Sequence, residues 1–208
     1  MEAILRYLRA MARRSICRLF LSTPMADERW QDAVYKQNSF TGRSGTLALD
    51  IGSGPSPRNP FCCEVIRGVD IRPGPNVIEA DLSSGLLPCD SASVDAVTAY
   101  DLLEHIPRVL GASEGQGGVR FPFVELMNEL HRCLKPGGLF FSSTPCFPWP
   151  MAFQDPTHVN IMTEETLRSY FCGPAPGAAI YGFKGRFVLK SAAWIGGHYT
   201  ALLVRPSE

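Results

Sequence analysis

Short apolar runs that end in glycine or aspartate alternate, from Thr46 onward, with longer segments of helical period. This alternation favours a parallel sheet, because each parallel pair of strands needs a long, usually helical connection. The sequence therefore predicts an α/β fold. Strands are predicted near residues 46–50, 68–71, 77–79, 96–100, 139–144, 187–194 and 199–204, the last two as a hairpin. Helices are predicted over residues 102–110, 122–134 and 164–171, with Thr163 as the N-cap of the last.

Length and charge narrow the class of protein. A chain of 208 residues can bury one full core, and 20 basic residues balance 20 acidic ones, so a nucleic-acid partner is not expected. Seven cysteines form no C-x-x-C pair. Their odd number favours reduced, mostly buried thiols and a cytoplasmic location.

The first 42 residues are predicted to be an extension of a domain that spans residues 43–208. Within this extension, residues 2–20 place apolar side chains at helical spacing with five arginines between them. This pattern indicates a basic amphipathic helix. Three roles remain open for it: packing on the domain or over its ligand cleft, peripheral contact with a membrane surface, and a cleaved targeting segment.

A tight glycine turn follows the first predicted strand. The segment Leu47–Pro55 reads LALDIGSGP, and glycine lets backbone approach a ligand closely. A dinucleotide-binding loop would have a third glycine where this chain has Pro57. The prolines at positions 55, 57 and 60 also oppose a regular helix directly after the turn. The ligand is therefore expected to lack a diphosphate.

Three aspartates, Asp50, Asp70 and Asp81, follow at or near the ends of successive predicted strands. The carboxyl ends of parallel strands share the edge where open sheets bind ligands, and an acidic residue after the second strand is typical of a ribose contact. The ordered series favours an adenosine with a cationic neighbour. The alternative for each aspartate alone is a cap on a helix or turn.

The chain resembles a class I S-adenosylmethionine-dependent methyltransferase of the broad small-molecule group over residues 46–171. The motifs that carry the resemblance are Asp50–Gly54, Asp70, Ala80–Leu82, residues 93–97 leading to Leu103–Ile106, and Leu134–Gly138. The resemblance implies a Rossmann-like, doubly wound, mainly parallel seven-stranded sheet with an antiparallel last strand. It also implies S-adenosylmethionine as cofactor and methyl transfer as the activity.

The same resemblance implies a set of cofactor contacts. The methionine part would lie on the loop, the ribose at the end of the second strand, the adenine after the third, and the sulfonium beside the end of the fourth. The residues so implied are Asp50, Gly52, Ser53, Gly54, Asp70, Ile71, Asp81, Leu82, Tyr100 and Asp101. The sequence departs from the family pattern between Gly54 and Gly68, where a proline-containing stretch replaces the usual first helix.

Three polar residues are candidates for contacting or deprotonating the methyl acceptor: His105, Asp155 and His158. A histidine near the transferred methyl could act as a general base. The alternative is a structural hydrogen bond for each of them. A metal site formed by these residues with Glu104 is not expected, because nothing local fixes their geometry.

The acceptor is predicted to be small or membrane-associated, with its accepting atom undetermined. Two other functions remain open: a cofactor-binding scaffold that has lost methyl transfer, and a nicotinamide-dependent oxidoreductase. The missing third glycine counts against the oxidoreductase.

Overall fold

The computed structural model describes residues 2, 4, 5, 21–111 and 118–207. The predicted helix over residues 2–20 lies almost wholly outside the described residues. Most of the predicted loop over residues 111–118 lies outside them too. Among the residues described, no helix is long and apolar enough to cross a bilayer.

A seven-stranded sheet forms the centre of the molecule, with the strand order β3-β2-β1-β4-β7-β9-β8. Strands β1 to β4 and β7 pair in parallel, whereas β9 is antiparallel to both β7 and β8. This arrangement confirms the predicted fold class, including the antiparallel last strand. The strands are β1 (Leu47–Ile51), β2 (Val65–Asp70), β3 (Val77–Glu79), β4 (Val94–Tyr100), β7 (Leu134–Pro145), β8 (Val188–Ile195) and β9 (His198–Val204).

Helices cover both faces of the sheet. Helix α1 (Glu28–Gln37) supplies Val34 to an apolar cluster on one face, beside Phe61 and Phe141. Helices α2 (Pro122–Cys133) and α4 (Glu164–Phe171) pack on the other face. Helix α3 (Met151–Gln154) is a single turn. The two helices on the second face confirm the predictions for those segments, and Thr163 caps α4 in a capping box as expected.

The predicted helix over residues 102–110 is wrong. Only Leu103–His105 form a single 3-10 turn, and Leu110–Gly111 (β5) pair with Val119–Arg120 (β6) in a small antiparallel hairpin. Pro107 opposes a helix here because proline removes a backbone donor and clashes with the preceding turn.

The expectation of reduced cysteines is wrong for one pair. Cys89 and Cys133 form a disulfide across 44 residues of sequence. The end of α2 brings Cys133 against the loop that precedes β4, where Arg132 also donates to the carbonyl of Cys89 at 2.9 Å. Spacing along the chain carries no sign of this tertiary contact.

Candidate functional site

The glycine turn after β1 requires glycine for two reasons. Gly52 and Gly54 have positive φ angles of 68° and 57°, which disfavour residues with a Cβ atom. A Cβ on Gly52 would also lie 2.8 Å from Cδ1 of Leu102, whereas one on Gly54 would meet no atom within 4 Å. The turn at Gly52 therefore packs closely against the segment that follows β4. Residues 52–64, all of them described, contain no helix, as the prolines predict.

Asp70 holds this turn to the end of β2. Its carboxylate accepts the backbone N–H of Gly54 at 2.9 Å and that of Arg72 at 3.0 Å. Each oxygen has further lone pairs for a ligand. Asp70 thus links the glycine turn to the strand end at which the sequence predicts a ribose contact.

A cavity of about 280 Å³ opens beside these strand ends, and we call it the cofactor cavity. It is lined by five of the predicted contacts: Gly52, Asp70, Ile71, Asp81 and Leu82. Asp81 also caps the following turn, where its Oδ1 accepts the N–H of Ser83 at 2.8 Å. Both interpretations of Asp81, as cap and as ligand contact, therefore suit its position. His105 completes one side of the lining.

Asp50 lies below the cavity rather than in its lining. It is 2% exposed, and its carboxylate accepts the hydroxyl of Thr98 at 2.7 Å and the backbone N–H of Arg58 at 2.8 Å. Burial raises its pKa, although both hydrogen bonds oppose the shift. Asp50 therefore fixes the proline-containing loop to the sheet. Ser53 also stays out of the lining and donates its hydroxyl proton to the carbonyl of Gly54.

A second cavity, of about 490 Å³, lies at the ends of β4, β7 and β9 and against α1, and we call it the acceptor cavity. Tyr100 and Asp101 line it rather than the cofactor cavity. The guanidinium of Arg58 lies 4.3 Å from the centre of the Tyr100 ring. The hydroxyls of Tyr100 and Tyr35 are 2.7 Å apart, and burial raises the pKa of Tyr100 to about 12.

Asp101 and His198 form a pair at the rim of the acceptor cavity. Nε2 of His198 donates to Oδ1 of Asp101 at 2.7 Å, and this hydrogen bond lowers the pKa of Asp101. Asp101 also has a positive φ of 48°, a conformation that non-glycine residues seldom adopt outside functional or tightly constrained turns. The sequence gives no sign of a role for His198, because its partner is 97 positions away, directly after β4.

The predicted acceptor-side residues His105, Asp155 and His158 come together with Glu104 at the side of the cofactor cavity. The rings of His105 and His158 meet edge to face at 4.9 Å. Asp155 accepts the N–H and the hydroxyl of Thr157, whose carbonyl lies 3.2 Å from Nδ1 of His105. The hydrogen bonds from Thr157 lower the pKa of Asp155. We refer to Glu104, His105 and His158 as the Glu–His–His cluster.

Comparison with known proteins gives the family. The family model described as a methyltransferase domain matches residues 26–172, which is most of the chain. A search of curated protein sequences finds no significant match.

Solved structures share the fold at low sequence identity. A SAM-dependent methyltransferase from Aquifex aeolicus is 12% identical, with a TM-score of 0.52 over 84% of this chain and 88% of that one. The geranyl diphosphate C-methyltransferase from Streptomyces coelicolor is 13% identical, with a TM-score of 0.53 over 87% of this chain and 81% of its own. The [4+2]-cyclase SpnF is 14% identical, with a TM-score of 0.56 over 86% and 80%.

The glycine turn, the acidic strand end at Asp70 and the strand order agree with the family match over residues 26–172. The chain belongs to the methyltransferase-domain family and is a class I S-adenosylmethionine-dependent methyltransferase.

Proposed function

We propose that this enzyme methylates a small polar acceptor at a hydroxyl or amine group, with the acceptor bound in the acceptor cavity. The observation that carries the proposal is the His198–Asp101 pair, 2.7 Å apart at the rim of that cavity. A histidine oriented by a carboxylate is a typical general base. The donor set of the cofactor cavity suits the other substrate, S-adenosylmethionine.

The residues of the cofactor cavity have distinct roles in this proposal. Asp70 accepts hydrogen bonds from the ribose hydroxyls, and Asp81 with Leu82 borders the adenine. Gly52, which lacks a side chain, lets the backbone approach the amino-acid part closely. When bound, S-adenosylmethionine supplies an electrophilic methyl group on a sulfonium.

Proton transfer is assigned to His198. A hydroxyl or amine loses a proton as its oxygen or nitrogen forms the new bond to the methyl carbon, while the electron pair of the broken C–S bond stays on sulfur. His198 donates through Nε2 to Asp101, so Nδ1 is the nitrogen that takes the proton. Asp101 positions the ring and stabilises the imidazolium that forms.

The lining of the acceptor cavity supports a polar acceptor. Glu28, Asp32, Arg58, Asp101 and Ser143 are among the residues that line it. A polar acceptor can form hydrogen bonds with these side chains, whereas an apolar one cannot. Peripheral membrane contact through residues 2–20 stays a prediction. The role predicted for His105, Asp155 and His158 in contacting the acceptor also stays a prediction.

The test is transfer of a labelled methyl group from S-adenosylmethionine into a low-molecular-mass metabolite extract. We expect label in the small-molecule fraction. His198→Gln and Asp101→Asn should lower the rate by about 100-fold or more and leave the Kd for S-adenosylmethionine within about twofold. His131→Gln, which removes an imidazole outside both cavities, is the matched control and should retain the wild-type rate.

Two results would contradict the proposal. Label that enters only macromolecules would refute the small acceptor. Wild-type turnover in the His198→Gln variant would refute the base. Cofactor binding with no transfer to any acceptor would instead favour the scaffold function that the sequence leaves open.

A further inference from the structure

The Glu–His–His cluster joins two loops at the open edge of the sheet. Glu104 and His105 lie in the 3-10 turn after β4, and His158 lies in the loop after α3. One potential ligand atom from each residue lies within 4.8 Å of the other two. The turn and the loop are also tied together through the backbone, since the N–H groups of Val159 and Asn160 both donate to the carbonyl of Glu104.

Both imidazoles have Nδ1 next to a backbone carbonyl. Nδ1 of His105 lies 3.2 Å from the carbonyl oxygen of Thr157, and Nδ1 of His158 lies 3.3 Å from that of Ala152. A carbonyl only accepts, so Nδ1 is the donor in each ring, and Nε2 is the nitrogen left without a backbone partner. Metal-binding histidines typically show this arrangement, with the distal N–H bonded to a backbone carbonyl.

The carboxylate of Glu104 is buried and only half satisfied. Glu104 is 1% exposed, Oε2 accepts the hydroxyl of Thr144, and burial raises its pKa. Oε1 is also buried and has no hydrogen-bond partner among the described residues, and Nε2 of His158 lies 4.0 Å from it. A buried acceptor without a partner is costly, and a cation between Oε1 and the two imidazoles would satisfy it.

We propose that Glu104, His105 and His158 bind a divalent transition-metal ion of the zinc type. Two imidazoles and one carboxylate are a donor set that such ions prefer, and three protein ligands leave coordination positions open for a substrate. Ligand distances of about 2.0 to 2.2 Å place ligand atoms roughly 3.3 Å apart. The ligand atoms lie within 4.8 Å of one another, so reaching that spacing needs shifts of about 1.5 Å or less.

The position of the cluster suggests what the ion does, and this step rests on the proposed methyl transfer. His105 lines the cofactor cavity, so the ion would lie beside the cofactor. A divalent ion there would supply a Lewis-acid position next to the bound cofactor, while His198 keeps the proton-transfer role. Asp155 has an outer role, because it holds Thr157, which in turn orients His105.

The metal site differs from the expectation drawn from sequence. Glu104 and His105 are adjacent and His158 is 53 positions away, so no local spacing predicts a shared ion. The contact arises from the backbone bonds that dock residues 157–160 on the turn after β4.

The experiment measures binding of Zn²⁺ and of Co²⁺ to the full chain, with no methyl donor or acceptor present. We expect one Zn²⁺ per chain by calorimetry, and visible absorption of bound Co²⁺ that Zn²⁺ abolishes. Glu104→Gln and His158→Gln should each weaken binding by about 100-fold or more. Circular dichroism shows whether each variant is folded.

Two control variants test other sources of binding. His131→Gln removes a histidine outside the cluster, and Cys62→Ser removes an exposed thiol beside Cys63. Both should bind like the wild type. The proposal is overturned if neither ion binds the wild type, if folded Glu104→Gln and His158→Gln bind normally, or if Cys62→Ser abolishes binding. Because the readout is binding, methyl transfer measured separately distinguishes failure of the metal site from failure of the proposed function.

Discussion

The carboxylate of Glu164 fastens the segment before α1 to the rest of the protein. Its Oε1 accepts the backbone N–H of Ser22 at 2.6 Å and the hydroxyl of Ser22 at 2.8 Å. Its Oε2 accepts the backbone N–H of Thr23 at 3.0 Å and the indole N–H of Trp194 at 3.1 Å. Burial alone would raise the pKa of Glu164, but these hydrogen bonds outweigh it and bring the pKa to about 2.

Replacing Glu164 with glutamine tests this anchor. The new amide nitrogen is a donor and would face two existing donors, whichever oxygen it replaces. A pKa shift from 4.5 to about 2 corresponds to about 3.4 kcal/mol. Because solvent near the segment screens part of the interaction, we expect Glu164→Gln to lower the free energy of unfolding by about 2 to 3 kcal/mol at pH 7.

The change of this stability difference with pH is a more specific test of the anchor than its size at pH 7. The pKa of Glu164 is lower in the folded state, so its stabilisation is complete above the unfolded pKa and is lost as the pH falls toward 2. The difference between the wild type and Glu164→Gln should therefore shrink by roughly half between pH 7 and pH 3. Glu165→Gln is the matched control, because the carboxylate of Glu165 is exposed, accepts the hydroxyl of Ser169 and lies 3.8 Å from the guanidinium of Arg168.

Urea unfolding of the three proteins at pH 7 and pH 3 measures both effects. Glu165→Gln should differ from the wild type by less than about 0.5 kcal/mol. The reasoning is refuted if Glu164→Gln unfolds like Glu165→Gln at pH 7, or if its deficit is the same at both pH values.

Two further predictions concern the cofactor cavity. Asp70→Ala should raise the Kd for S-adenosylmethionine about 5- to 150-fold, because hydrogen bonds to a charged acceptor, worth about 1 to 3 kcal/mol, are lost. Calorimetry measures this Kd. Unchanged affinity in a folded variant would show that Asp70 does not bind the ribose. Gly52→Ala should destabilise the fold more than Gly54→Ala. Both residues have positive φ, but only the Cβ at position 52 would lie 2.8 Å from Leu102. Equal melting temperatures for the two variants would contradict the close contact between the turn and Leu102.

The architecture was predictable because its signals are local. Most of the seven strands are apolar runs ended by glycine, aspartate or proline, and all seven appear in the sheet near their predicted positions. The capping box at Thr163 is likewise complete within four residues. The segment after β4 was mispredicted because its apolar spacing resembles a helix while Pro107 forbids one.

The site residues were predictable where the parallel strands place them at the same edge of the sheet. Parallel strands put Gly52, Asp70 and Asp81 at the same edge of the sheet, and all three line the cofactor cavity. Asp50 has the same pattern but faces inward, toward Thr98. Sequence periodicity does not distinguish a strand-end carboxylate that faces a ligand from one that fixes a loop.

Contacts between distant segments were not predictable. His198 reaches Asp101 only because β9 is inserted antiparallel between β7 and β8. His158 reaches Glu104 only because its loop docks on the turn after β4. Both pairings depend on tertiary packing, and the sequence holds no spacing that encodes them.

Calorimetric titration of the full chain with S-adenosylmethionine, beside its demethylated product and NADH, tests the central claim most directly. We predict one site per chain that binds S-adenosylmethionine and its product with micromolar Kd, and no binding of NADH. Binding of NADH alone, or of none of the three to the folded protein, would contradict the assignment of the glycine turn and Asp70 to a methyl-donor site.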